Sequence, residues 1–185
     1  MASAAHFLTS SRIGFRTWAL DDLPLALSLW GDPEVTRHID SRGQLTPQQV
    51  NERLLREIAT QQVAGVQYWP IFLLASGEHL GCAGLRPRPA EGVYEFGVHL
   101  RPMYWGRGYA TEAGHAVLRY AFERLGAKAV FAGHHPRNDA SRRMLAALGF
   151  RYTHDELYPP TGLHHPSYLM EPADFPRPKS VESGT

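Results

Sequence analysis

The stretch VYEFGVHLRPMYWGRGYATEA, Val93 to Ala113, constrains the fold more than any other part of the chain. Its first eight residues alternate. Tyr94, Phe96, Val98 and Leu100 face one way, and Glu95, Gly97 and His99 the other, which is the period of a β-strand. A bend carrying Gly106 and Gly108 follows, and TEAGHAVLRYAFERLG then reads as a helix stopped by Gly126. A strand that turns through glycines into a helix gathers backbone N–H groups with no intrahelical partner, and the helix dipole adds partial positive charge. Such a corner binds phosphate readily. Gly106 and Gly108 let the backbone come close to a ligand, and Arg107 between them supplies a full charge. Spacing alone leaves two readings open: a diphosphate cradle, or a plain strand-to-helix turn with an exposed arginine. Two other phosphate motifs are excluded. The chain has no G-x-x-x-x-G-K-[ST], and GRGYAT lacks the third glycine of a dinucleotide fingerprint.

The flanking pattern predicts the other elements. RIGFRTW reads as a strand, and Asp21 or Asp22 is expected to cap a helix running to Trp30. DPEV restarts a helical turn. TPQQVNERLLREIATQQ is a helix with a Thr46–Gln49 capping box and an apolar stripe of Val50, Leu54, Leu55 and Ile58. YWPIFLLAS and HLGCAGLRP are strands joined at Ser76-Gly77-Glu78. AKAVFAGHH is a strand, and NDASRRMLAALG a helix capped by Asn138 and ended by Gly149. FRYTHDELY and HHPSYLM are strands about the turn PPTG. The alternation implies an α/β sheet, parallel where VYEFGVHL connects through a helix to AKAVFAG. Residues 1–170 are expected to form a single domain. Residues 171–185 are expected to be a loosely ordered tail, and the first dozen residues to be loosely held.

Composition narrows the function classes. Among 185 residues the net charge is +1, with histidines neutral, which argues against a nucleic-acid or membrane-surface binder. No apolar run reaches membrane-spanning length, and the N-terminus lacks the basic and apolar regions of a secretory signal, so a cytoplasmic setting is expected. The single cysteine, Cys82, sits in an apolar run and reads as a small buried hydrophobe. Adjacent histidines at 134–135 and 164–165 point to opposite sides of a strand and do not chelate, so no metal is expected.

EFGVHLRPMYWGRGYATEA together with PRNDASRRMLAALGF resembles the GNAT acyltransferase superfamily, and most nearly its RimJ/RimL-like branch of ribosomal-protein N-terminal acetyltransferases. The N-terminal FRTWALDDLPLALSLWGDPEV is similar to that branch as well. The leading Trp105 departs from the general phosphate-loop pattern. The resemblance spans roughly residues 12–170. It implies a mixed, mostly antiparallel central sheet with a splayed parallel strand pair and helices on both faces. It also implies acetyl-coenzyme A as cosubstrate, with its pyrophosphate on the amides of Gly106, Arg107, Gly108, Tyr109 and Ala110 and its pantetheine bonded like an added strand to Val98 and Leu100. The implied reaction is acetyl transfer by direct attack of an amine, from a protein N-terminus or a small molecule, in a monomer or homodimer. A non-catalytic coenzyme-A sensor and an acyltransferase using another acyl group are the alternatives.

An amine must be neutral to attack a thioester. At pH 7 roughly one lysine in a few thousand is neutral, against about one α-amine in ten, so the demand for a base depends on the acceptor. Glu95 is the candidate base, acting through a water, with His99 on the same strand face as a possible relay. On pattern alone, both could equally decorate a solvated sheet face. A backbone N–H near Val98 is the candidate donor to the thioester oxygen. The resemblance sets Asn138 against the pantetheine and the hydroxyl of Ser141 near the departing sulfur, although both residue types suit a helix start in any case. Arg142 and Arg143 are candidates for the remaining phosphate. His134 and His135, and by position Trp30, Tyr158 and His164, are candidates for the acceptor side.

Overall fold

In the computed structural model, which describes residues 5–176, the alternating strand lies near the centre of one eight-stranded sheet. The strands are β1 (Leu8–Thr9), β2 (Ile13–Phe15), β3 (Tyr68–Leu73), β4 (His79–Pro87), β5 (Val93–Leu100), β6 (Ala129–Gly133), β7 (Arg151–Tyr158) and β8 (Leu163–Met170). Their spatial order is β1-β2-β3-β4-β5-β6-β8-β7. Every neighbouring pair is antiparallel except β5 and β6. That parallel pairing covers only Val93, Tyr94 and Glu95 against Ala129, Val130 and Phe131. Beyond Glu95 the two strands part, and the β6-side edge of β5 has no strand partner. The expected mixed sheet with a splayed parallel pair is the fold observed.

Two cores flank the sheet. On one face Phe96 and Leu100 pack with Ile13, Phe15, Trp69, Ile71 and Leu85 under α4 (Tyr109–Arg119) and α5 (Asp139–Leu148). On the other, Tyr68 and Cys82 pack with Trp18, Leu29 and Trp30 under α1 (Leu23–Trp30) and α3 (Pro47–Ala64). The short α2 (Pro33–Thr36) starts at Asp32, whose side chain accepts from the Glu34 N–H at 2.9 Å. The face of β5 that carries Glu95, Gly97 and His99 is therefore covered, not solvated.

Several expectations are corrected. Asp22 does not cap α1. A short 3₁₀ turn, Leu20–Asp22, precedes the helix, and the Asp22 carboxylate instead pairs with Arg16 at 2.7 Å and accepts from the Ala19 N–H at 2.8 Å. The strand read over RIGFRTW is only Ile13–Phe15. Residues 1–4 of the first dozen lie outside the described residues; of the rest, β1 pairs with β2, and the Phe7 ring packs edge-on against Trp69 and Tyr120. The capping box of α3 forms as expected, but Leu55 points outward. Glu57 is buried in its place, accepting from the Tyr68 N–H at 2.9 Å and pairing with Arg86. The helix after α4 widens into a π turn, Tyr120–Arg124, before Gly126. Of the tail, residues 177–185 lie outside the described residues. Phe175 is buried against Phe122, and Arg151 bonds Asp174 at 2.9 Å. Among the described residues no helix is long and apolar enough to cross a membrane.

Buried histidines set an acid limit on this fold, His79 among them. His79, at the start of β4, is only 4% exposed, and neither ring nitrogen has a partner. Burial first, and the nearby Arg101 charge second, push its pKa down to about 4. Unfolded, it titrates near 6.5. As pH falls, the unfolded chain takes up the proton first. Full stability is therefore present above about pH 6.5 and drains at up to ~1.4 kcal/mol per pH unit until the folded form protonates as well. The urea midpoint is expected to fall steadily between roughly pH 7 and pH 5, and His79→Gln should make that slope shallower, His99 and His165, whose pKa values burial also lowers, supplying the remainder.

Candidate active site

The bend after β5 is built as a donor corner. Pro102–Tyr104 makes a 3₁₀ turn, and the Trp105 indole N–H donates to the Leu100 carbonyl at 2.8 Å, which ties the bend to the strand end. Gly106 (φ 71°) and Gly108 (φ 78°) take the left-handed conformation, and Gly108 caps α4. No acceptor among the described residues takes the N–H groups from Gly106 to Thr111. These orphan amides are what an anion would meet.

The corner is braced by residues the sequence did not signal. Arg12, between β1 and β2, pairs with Glu112 at 2.6 Å, lies over the Tyr109 ring at 4.3 Å, and bonds the Arg107 carbonyl at 3.3 Å. Ser10 donates to the same Glu112 at 2.6 Å. Burial alone would raise the Glu112 pKa, but these hydrogen bonds outweigh it and hold the group below its ordinary value. An ionised carboxylate in the first turn of α4 would oppose an incoming anion, and the Arg12 charge offsets it.

A cavity of about 860 Å³ opens where β5 and β6 part. Glu95, Val98, Leu100, Gly106, Gly108, Tyr109, Ala110, Asn138 and Ser141 all line it. Arg107 stands exposed at the tip of the bend and does not. Asn138 caps α5, its side-chain oxygen accepting from the Ser141 N–H at 3.1 Å, which leaves its amide NH₂ unengaged. Arg143 lines the cavity, whereas Arg142 pairs with Asp139 at 3.2 Å.

Glu95 is held by two partners that no sequence pattern named. The Tyr68 hydroxyl donates to its Oε1 at 3.2 Å, and Arg88 sits 3.6 Å from its Oε2. Tyr68 stands in register with Gly84, and Gly84 with Gly97, so its ring lies along the sheet toward β5. A Cβ on Gly97 would fall 2.4 Å from that ring. The space beside Glu95 is filled by tyrosine, and only glycine fits there. A glycine inside a strand is the usual mark of such a close approach, and it was the available clue. Burial, then the Glu95 charge, raises the Tyr68 phenol well above its ordinary value, so it stays a donor.

His99 is buried, and burial followed by the charges of Arg53 and Arg86 holds its pKa well below the usual range. The Trp30 indole N–H, which can only donate, reaches His99 Nδ1 at 3.2 Å. Nδ1 therefore accepts and Nε2 carries the proton, leaving no free lone pair to take another. Cys82 is buried beside it, its Sγ 3.6 Å from Nδ1, and burial pushes the thiol up to about 12. This is the inert small residue expected.

On the far wall, His134 lies 3.1 Å from the Tyr168 hydroxyl, and the His135 ring stands between His38 (4.7 Å) and His165 (5.5 Å). Tyr158 lines the cavity. His164 is exposed and does not; the buried neighbour His165 does, because successive strand residues alternate. Trp30 is fully buried behind His99 and does not line the cavity.

A family model for an acetyltransferase (GNAT) domain matches residues 12–151. The chain is 27% identical over 152 residues to the uncharacterized N-acetyltransferase p20 of Bacillus licheniformis, covering 78% of this chain and 82% of that protein. Its fold is similar to a crystal structure of an acetyltransferase from Agrobacterium tumefaciens (TM-score 0.75, 24% identity, covering 92% and 96% of the two chains). It is also similar to Mycobacterium smegmatis RimJ in complex with CoA-disulfide (TM-score 0.76, 18% identity, 89% and 84%).

Proposed function

The chain belongs to the GNAT acetyltransferase family, and from that premise we propose that it moves an acetyl group from acetyl-coenzyme A to a primary amine by direct attack on the thioester. One observation carries the reading: a single cavity joins the orphan amides of the bend, the unpaired edge of β5 and the Tyr68–Glu95 pair. Acetyl-coenzyme A supplies an activated acyl group, an anionic pyrophosphate and a strand-like amide arm. The residues present suit each part. The N–H groups of Gly106 to Ala110 take the pyrophosphate, with Arg107 nearby. The β5 edge at Val98 and Leu100 takes the arm, and the free NH₂ of Asn138 faces it.

Glu95 accepts the amine proton through a water, oriented by Tyr68. A backbone N–H near Val98 steadies the oxygen of the tetrahedral intermediate. As the new C–N bond forms and the C–S bond breaks, the Ser141 hydroxyl hydrogen-bonds the departing sulfur; the thiolate takes a proton from water to leave as free thiol, and Glu95 returns the amine proton to solvent. His99, neutral and with its lone pair engaged by Trp30, positions the strand and does not act as the base. The acceptor is a small-molecule amine or a protein N-terminus.

The test is a panel of amines and N-terminal peptides with acetyl-coenzyme A, read by thiol release and product mass, beside a thermal shift with the cofactor alone. Cofactor-induced stabilisation with transfer to at least one amine sustains the proposal. Tight binding with no transfer to any amine would leave a coenzyme-A-binding protein without turnover. Faster transfer from succinyl-coenzyme A would change the acyl group and leave the residue roles in place.

A further inference from the structure

The carboxylates that line the cavity are each engaged by an arginine other than Arg53. Arg88 takes both Glu95 (3.6 Å) and Glu156 (3.3 Å), Arg37 takes Glu34 (3.1 Å), and Arg142 takes Asp139 (3.2 Å). Arg86, also in the lining, is paired with the buried Glu57. Arg53, from α3, lines the same cavity with no carboxylate within ion-pair reach among the described residues. Its Nε is buried with no hydrogen-bond partner. Its guanidinium lies over the Trp30 ring, 4.8 Å from the centroid. Trp30 is in turn bonded to His99, which shares the strand face of Glu95 four residues along and directly follows Val98. Arg53 is thus held at the acetyl-transfer end of the cavity.

A guanidinium N–H taken from water and left unpaired is costly, and so is an uncompensated charge. Such a group calls for a partner, and in a cavity wall a bound ligand is one that can supply it. Arg137 and Arg143 also lack a carboxylate, but both are exposed and flank Asn138 and Ser141 at the start of α5. The planar fork of arginine matches two oxygens of one oxyanion, and stacking on an indole fixes the plane in advance.

We propose that the acceptor is a small amine bearing an oxyanionic group, a carboxylate foremost, near its amino group, and that Arg53 receives that anion. The inference rests on the acetyl-transfer reading above. It disfavours polyamines and strongly basic N-termini, whose charge the unpaired Arg53 would repel.

The experiment measures kcat/KM for amino acids against their carboxamides, for aminoalkyl phosphates against the corresponding amino alcohols, and for polyamines. The protein is taken as wild type, Arg53→Met and Arg53→Lys. Methionine keeps the stacking bulk, and thermal melting confirms that each variant folds. Wild type is expected to prefer the anion over its neutral counterpart on the order of 10- to 100-fold. In Arg53→Met that preference collapses through a raised KM for the anionic amine, while the neutral one changes less than about threefold and Arg53→Lys recovers part of the loss. A preference in either the carboxylate or the phosphate arm sustains the proposal, and the larger ratio names the anion. Equal transfer to charged and neutral partners, a preference for polyamines, or a preference that survives Arg53→Met overturns it and leaves acetyl transfer standing. No transfer to any amine removes both readings.

Discussion

Gly108→Glu is expected to abolish acetyl-coenzyme A binding, weakening it by at least about 100-fold. Two effects add. At φ 78° any side chain is strained, at a cost of roughly 1–2 kcal/mol to the start of α4. A carboxylate would also stand among the orphan amides, where the pyrophosphate is proposed to lie, and repel it. The protein itself has room, since the nearest atom to a Cβ there is Arg12 Nη2 at 3.7 Å. The variant should therefore fold, with a modestly lower melting temperature. Gly108→Ala separates the causes: it carries the same strain without the charge and should lose far less affinity. Isothermal titration of both variants decides the matter. Affinity for Gly108→Glu equal to wild type would place the cofactor elsewhere.

Glu95→Gln is expected to lower kcat by roughly 100-fold or more near neutral pH, while the dissociation constant for acetyl-coenzyme A stays within about threefold. Glutamine keeps the shape and can still accept from Tyr68, so the fold should hold; what it loses is the site for the amine proton. The size of the defect also reports on the acceptor. An amine that is already neutral needs no base, so the gap between variant and wild type should close as pH rises through the amine's own pKa, near 8 for an α-amine and about 10.4 for a lysine-like one. Rate–pH profiles of the two proteins would show this. A variant as fast as wild type at every pH would remove Glu95 from the chemistry.

Much of this architecture was legible in the sequence because local rules and tertiary packing agree. The alternation of Val93–Leu100 set that strand to the residue, HLGCAGLRP matched β4, and Thr46–Gln49 and Asn138 capped the helices expected of them. What escaped was settled by long-range contacts. Asp22 is the exception, a local miss: its carboxylate turns back to Arg16 and the Ala19 N–H, a few residues upstream, instead of forward onto the helix. Glu57 lies on the inner side of α3 because Arg86 and the Tyr68 N–H, far away in sequence, make its burial tolerable. Tyr68 reaches Glu95 across two strands, and nothing in its own neighbourhood announces a partner there. Arg53 reads as one more polar residue of an amphipathic helix. Only the pairing of every nearby acid with some other arginine sets it apart. Periodicity tells which way a residue points, whereas its partners come from the topology.

The brevity of the β5–β6 ladder has a consequence for handling the protein. The short unpaired flank of β5, from Phe96 to Leu100, offers peptide groups to the cavity, and unpaired strand edges can template another chain's backbone. On the proposed reading, the pantetheine arm fills that seam as a reversible plug. Preparations stripped of cofactor should therefore clump sooner on storage than saturated ones, and the cell's acyl-thioester supply would act as a chaperone for the enzyme as well as its fuel.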